Sequence, residues 1–73
     1  MISKRVELNI PLDFKDEPIL YYMIKNYDII PNIIEASFST ELGWVLLDLR
    51  GENEEVEKLF NFLKEKGVEI KFR

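Results

Sequence analysis

Neither cysteine nor histidine occurs among the 73 residues. Without cysteine there is no disulfide, no thiolate zinc site and no cysteine-ligated iron–sulfur cluster. Without histidine the commonest transition-metal ligand is missing, and so is the side chain best suited to act as a base near neutral pH. Positive charge is in the minority, with ten Lys and Arg against fourteen Asp and Glu and a net charge of −4. The basic surface of a nucleic-acid binder is therefore not expected. Uncharged stretches such as Ile29–Ile34 fall far short of the ~20 apolar residues that cross a bilayer. No apolar signal segment follows Met1-Ile2-Ser3-Lys4-Arg5, so a cytoplasmic chain with no membrane insertion is expected.

What is present is enough for one domain, residues 1–73. Hydrophobic residues make up 47% of the chain, sufficient for a packed core. At this length a single core is only marginally stabilising, and association is the remaining source of stability. A homo-oligomer is the expectation.

Hydrophobic periodicity divides the chain into two strand–helix–strand passages. In a first strand, Arg5–Ile10, Val6, Leu8 and Ile10 face one way and Arg5, Glu7 and Asn9 the other. Pro11 ends it, having no N–H to give a ladder. Asp16 can cap a helix near Glu17–Tyr27, with Pro18 in its first turn. Its stripe is Leu20, Met23, Ile24 and Tyr27. Pro31 implies that the next strand is an edge or begins after it, at Asn32–Ser39. From Asn32 onward, alternation sets Ile34, Ala36 and Phe38 against Ile33, Glu35 and Ser37. Thr40-Glu41-Leu42-Gly43 reads as a hairpin connection, with glycine free to take a positive φ.

The third strand, Gly43–Arg50, puts Val45, Leu47 and Leu49 on one face and Trp44, Leu46, Asp48 and Arg50 on the other. Asn53 is a candidate cap for a helix near Glu54–Lys66, with the stripe Val56, Leu59, Phe60 and Leu63. Its glutamates lead and its lysines trail, matching the helix dipole. Gly67 suits a left-handed C-terminal cap, and a last strand, Val68–Arg73, turns Val68, Ile70 and Phe72 inward. Right-handed crossovers joined by a hairpin then give an α+β fold, a ferredoxin-like βαββαβ sandwich. Its antiparallel sheet has order 4-1-3-2, with both helices on one face.

That fold hosts many chemistries, each needing its own residues. Copper carriage needs paired cysteines, which are absent. RNA recognition needs sheet aromatics among basic residues, and Trp44 is the one aromatic placed outward. An acylphosphatase needs a glycine-rich phosphate loop, whereas Pro11-Leu12-Asp13-Phe14-Lys15 has no glycine and carries acid. The run Glu52–Glu57 reads as a solvated helix start rather than a cation site. Asp13, Asp16 and Glu17 lack a partner nucleophile or oxyanion donors. No catalytic residue, metal site or cofactor is assigned, and the chain is not expected to be an enzyme.

Two features remain. Trp44, Leu46 and Ile33 form an apolar patch on the helix-free face, expected to be a self-association surface anchored by the tryptophan. Packing of Trp44 over the hairpin is the plainer alternative. Asn32 carries a donor pair and an acceptor, able to meet both the carboxylate and the ammonium of an amino acid. An Asx-type turn is its structural alternative. Ile33, Ile34 and Met23 are candidates to line an apolar slot beside it, although Met23 and Ile34 also suit ordinary core.

Glu17-Pro18-Ile19-Leu20, Pro31-Asn32-Ile33-Ile34 and Gly43…Leu47-Asp48-Leu49-Arg50-Gly51 together resemble the NIL domain, an ACT-like family. The closing Phe62-Leu63-Lys64-Glu65-Lys66-Gly67-Val68-Glu69-Ile70 fits the same pattern. The family's Asn-Ile-Leu triplet is here Asn32-Ile33-Ile34, and Ala36 stands where glycine is frequent in relatives. The resemblance covers nearly the whole chain. It implies a dimeric regulatory domain of the kind found at the C-terminus of methionine importer ATPase subunits. Such a domain would bind methionine or a related sulfur amino acid near the subunit interface, and act on a protein partner in trans if freestanding. A dimerisation module that docks on an enzyme or transporter without a small ligand is the competing expectation.

Overall fold

The computed structural model describes residues 1–11, 18–39 and 42–73. The readings of Asp13, Asp16 and Glu17, and of the Thr40–Glu41 corner, lie outside these. The elements run β1 (Ile2–Ile10), α1 (Ile19–Asn26), β2 (Ile29–Phe38), β3 (Gly43–Gly51), α2 (Asn53–Glu65) and β4 (Glu69–Phe72). The four strands form one antiparallel sheet in the order β2-β3-β1-β4. This is the expected α+β ferredoxin-like order, 4-1-3-2, counted from the other edge.

The two long central strands set the frame. β1 pairs with β3 from Ile2 opposite Gly51 to Ile10 opposite Gly43. Side chains directly opposite in an antiparallel pair share a face, so Val6 and Leu8 lie beside Leu47 and Val45. All four are fully buried or nearly so, and Leu49, Met23, Val56, Leu59 and Leu63 join them in a core that, among the described residues, includes no buried polar side chain. The helix-free face carries Arg5, Glu7 and Asn9 opposite Asp48, Leu46 and Trp44.

β2 begins at Ile29 and runs through Pro31. It has β3 on one side only, so a missing N–H can face away from the ladder. Midway the register slips: Ile33 is opposite Leu47, yet Glu35 is opposite Leu46. Ile34 is the extra residue of a β-bulge. This corrects the simple alternation. Ile33 lies on the helix side with Ala36 and Phe38, which are opposite Val45 and Gly43. Ile30, Asn32, Glu35 and Ser37 share the helix-free face.

Three local readings also change. Of the predicted α1 stripe, Met23 is buried and Leu20 and Tyr27 pack against the core, but Ile24 is 57% exposed and Ile19 is buried instead. The α2 cap is Glu52, whose carbonyl accepts from the Glu55 and Val56 N–H groups, and Asn53 is already helical. Gly43 is required for space rather than for φ, because a Cβ there would meet the Phe38 ring at 2.5 Å. Gly67 does take the left-handed conformation, φ 83°. Its N–H donates to the Lys64 carbonyl and that of Val68 to Leu63, the paired bonds of a Schellman cap. Among the described residues no helix is long and apolar enough to cross a membrane.

Leu47 sits where β3 meets the helices and is fully buried. Leu47→Ala should lower the unfolding free energy by about 2–5 kcal/mol. It would be read as a fall in the urea midpoint at unchanged slope. A midpoint equal to that of the wild type would show that the gap closes by repacking.

Candidate functional site

The helix-free face is organised by ion pairs that cross strands. The Arg5 guanidinium donates from Nε to Asp48 Oδ1 at 2.8 Å and from a terminal nitrogen to Oδ2 at 3.1 Å, a two-pronged contact between β1 and β3. Arg73 pairs with Glu7, while Lys71 lies 3.7 Å from Glu69 within β4 itself. Hydrogen bonding from Arg5 holds the Asp48 carboxyl below its ordinary range, partial burial opposing it. The bond from Arg73 does the same for Glu7. On the helix side, the backbone N–H of Asp28 donates to Glu55 at 2.9 Å and depresses that carboxyl, with help from Lys58. Glu55 thus ties the start of β2 to the first turn of α2. The acidic run contributes structure here, and Glu52 lies 3.7 Å from the N-terminal ammonium.

At the β2 end of this face stands a compact group of complementary side chains. Asn32 is opposite Asp48 and Ile30 is opposite Arg50, so the four occupy the corners of one patch. Asn32, Ile30 and Arg50 are exposed. Among the described residues no carboxylate lies within ion-pair distance of Arg50. Asp48 keeps acceptor capacity beyond its two bonds to Arg5, since a carboxylate offers about four lone-pair directions. A guanidinium, a carboxylate, an amide and an apolar side chain within one patch match the parts of a zwitterionic amino acid with an apolar tail.

The expected site residues are distributed unevenly. Asn32 is exposed and faces the patch. Ile33 and Ile34 are exposed at 52% and 43%, Ile33 on the helix side and Ile34 at the bulge. Met23 is completely buried in the core, so it presents no surface to a ligand; its helical stripe, and not a slot, accounts for it. Trp44 and Leu46 do share the helix-free face, half-buried, but Ile33 does not join them. The expected three-residue patch is therefore not one surface, because the bulge at Ile34 turns Ile33 to the other side. Sequence reasoning missed Arg50, Asp48 and Ile30 as neighbours of Asn32. Extending the hairpin register back from Phe38 opposite Gly43 would put Asn32 opposite Leu49; the extra residue Ile34 moves it to Asp48, and no residue pattern marks that shift.

A four-stranded antiparallel sheet in the order β2-β3-β1-β4 with two helices defines a ferredoxin-like domain. The NIL domain family model matches residues 4–71, and the chain belongs to that family. A methionine import ATP-binding protein, MetN 1, from Listeria monocytogenes serotype 4b (strain F2365) is 32% identical over 72 residues. That match covers 93% of this chain and 21% of the relative. MetN 4 of Oceanobacillus iheyensis is 34% identical over 59 residues, 75% of this chain and 17% of the relative. The chain thus spans only a minor part of these relatives. The fold is shared with the C-terminal domain of an ABC transporter ATP-binding protein from Enterococcus faecalis. Its TM-score is 0.79 at 20% identity, covering 94% of this chain and 81% of that one.

The depressed carboxyls fix the sign of an acid response. Their stabilising effect is complete above the unfolded carboxylate range and is lost as pH falls through the lower folded values, because the unfolded chain takes up protons first. Urea midpoints followed from neutral pH down through that range should fall, and Asp48→Asn should fall less steeply than the wild type. Equal slopes for the two proteins would show that the Arg5–Asp48 pair is not coupled to folding.

Proposed function

We propose that this chain is a regulatory domain that binds methionine or a related sulfur amino acid as a dimer and transmits occupancy to a protein partner. The observation that carries the reading is the exposed Asn32 of the family triplet, set beside Asp48 and Arg50, which has no ion-pair partner among the described residues. Arg50 takes the ligand carboxylate, Asp48 the ammonium, and the Asn32 amide bridges the two. The apolar tail runs along the edge against Ile30, with Ile34 and Ile33 beyond it. In one copy these isoleucines form a surface open to solvent, so a slot needs a second wall, which the dimer supplies. The similarity to methionine import ATP-binding proteins supports both the ligand class and an import ATPase as the kind of partner, reached in trans or within a longer chain. A ligand alters the partner only if it binds one of two dimer arrangements better than the other.

The competing reading, a docking module without a ligand, is favoured by the same open isoleucines, which a protein surface would also cover. Calorimetry with L-methionine separates them. Wild type should give a saturable heat, and Asn32→Ala and Arg50→Ala should each weaken binding about tenfold or more, the scale of a hydrogen bond to a charged group. No heat with wild type at millimolar methionine would discard the sensor reading in favour of the docking module.

A further inference from the structure

Ion pairing on the helix-free face leaves one arginine over, and the strand register decides which. Three guanidiniums, Arg5, Arg50 and Arg73, stand there with two carboxylates in reach, Glu7 and Asp48. Arg73, whose backbone N–H donates to the Arg5 carbonyl, takes Glu7. Arg5 takes both oxygens of Asp48. Lys71 and Glu69 hold each other. Glu35 is opposite Leu46, four residues along from Arg50, which is about 14 Å at the strand rise. Among the described residues Arg50 is thus the guanidinium without a carboxylate, and it is the one beside Asn32 and Ile30.

Asp48 has two arginines within reach. Arg50 follows it on the same face of β3, about 7 Å away between Cα atoms, and its long stem can bring the guanidinium back. Arg5 is directly opposite on β1, where facing side chains stand about 5 Å apart at Cβ. Nearness and the two-pronged contact give Asp48 to Arg5. We infer that Arg5 is a positioning residue of the Asn32 patch: by engaging Asp48 it keeps Arg50 open to a ligand carboxylate, and without it Arg50 folds onto Asp48 and closes the site. The inference deepens the proposed function and rests on its assignment of Arg50 to that carboxylate. Asp48 is paired in either arrangement, so the exchange costs the face an open cation and not an ion pair. The charged groups that face Asp48 are Arg5 and Glu7 from β1 and Arg50 from its own strand, while β2 presents the neutral Asn32.

The exchange is read first without ligand. The Asp48 side-chain carboxyl carbon is followed by NMR as the pH is lowered, in wild type, Arg5→Gln, Arg50→Gln and the double variant, with far-UV circular dichroism to confirm folding. In the wild type this carboxyl lies below its ordinary range. Arg5→Gln should leave it low, because Arg50 moves in, and Arg50→Gln should not change it. The double variant alone should return it to the ordinary range. If Arg5→Gln titrates like the double variant, Arg50 does not take the vacated place and the inference is overturned. Calorimetry with L-methionine then reads the site. Arg5→Gln should weaken binding about tenfold, as loss of Arg50 does, yet cost nothing further in an Arg50→Ala background, where no open cation is left to protect. Arg5→Lys should recover most of the affinity, since an ammonium still occupies Asp48. Equal losses in the two backgrounds, or no recovery with Arg5→Lys, would make Arg5 a structural residue only and overturn its role at the site. A wild type that binds no methionine defeats the proposed function, whereas the ligand-free titration still decides whether Arg5 holds Arg50 away from Asp48.

Discussion

Nine consecutive residue pairs between β1 and β3 hold the rest of the molecule in place. This ladder decides that Val6, Leu8, Val45, Leu47 and Leu49 all face the helices, and a slip of one residue would send the whole set to solvent. Each helix can then bury a single stripe: Ile19 and Met23 from α1, Val56, Leu59, Phe60 and Leu63 from α2. In a chain of this size such a core leaves a small net stability, so the cross-strand ion pairs on the opposite face matter. Arg5 and Asp48 face each other because their strands are locked in register, and a bidentate guanidinium–carboxylate pair rewards that register with geometry as well as charge.

The bulge in β2 is the point where this regularity is deliberately broken. Were Ile34 an ordinary member of the ladder, Ile33 and Glu35 would share one face, so either Ile33 would join Glu35 on the helix-free side or Glu35 would turn with Ile33 toward the helices. With Ile34 inserted, the strand keeps apolar groups on the helix side at both ends while Asn32, Glu35 and Ser37 stay on the polar face. Bulges are common at sheet edges and beside binding sites, where they re-aim side chains. Here one falls within the family's own triplet. The residue that gives the motif its polar chemistry and the residue that bends the strand are two positions apart.

Most of the architecture was legible in the sequence because it rests on local rules. Period-two alternation identified Arg5–Ile10 and Gly43–Arg50, and the 3.6-residue stripe of Val56, Leu59, Phe60 and Leu63 identified α2. Gly67 announced its own cap. The errors share a cause, which is that alternation cannot count an extra residue. Nothing in Ile33-Ile34-Glu35 marks Ile34 as unpaired, so the patch with Trp44 looked continuous when it was not. That α1 buries Ile19 and exposes Ile24 was similarly hidden, since Ile19, Leu20, Met23 and Ile24 are all apolar and only packing chooses among them. Arg50 escaped notice because a surface arginine on a strand is ordinary until the strand beside it is known.

On the proposed function, a ligand held at Asn32 by a dimer has a thermodynamic consequence. A ligand that touches both copies is held by the pair and not by the single chain, so occupancy and association must strengthen each other by equal factors. A domain with a large, self-sufficient core would gain little from this. On that proposal, a domain of 73 residues with exposed isoleucines at Ile30, Ile33 and Ile34 would gain both stability and a switch from one contact. Asn32 would then be exposed in the free chain because its partners are supplied by ligand and second copy. Exposure that looks like a defect in one copy is, on this argument, the condition for sensing in two.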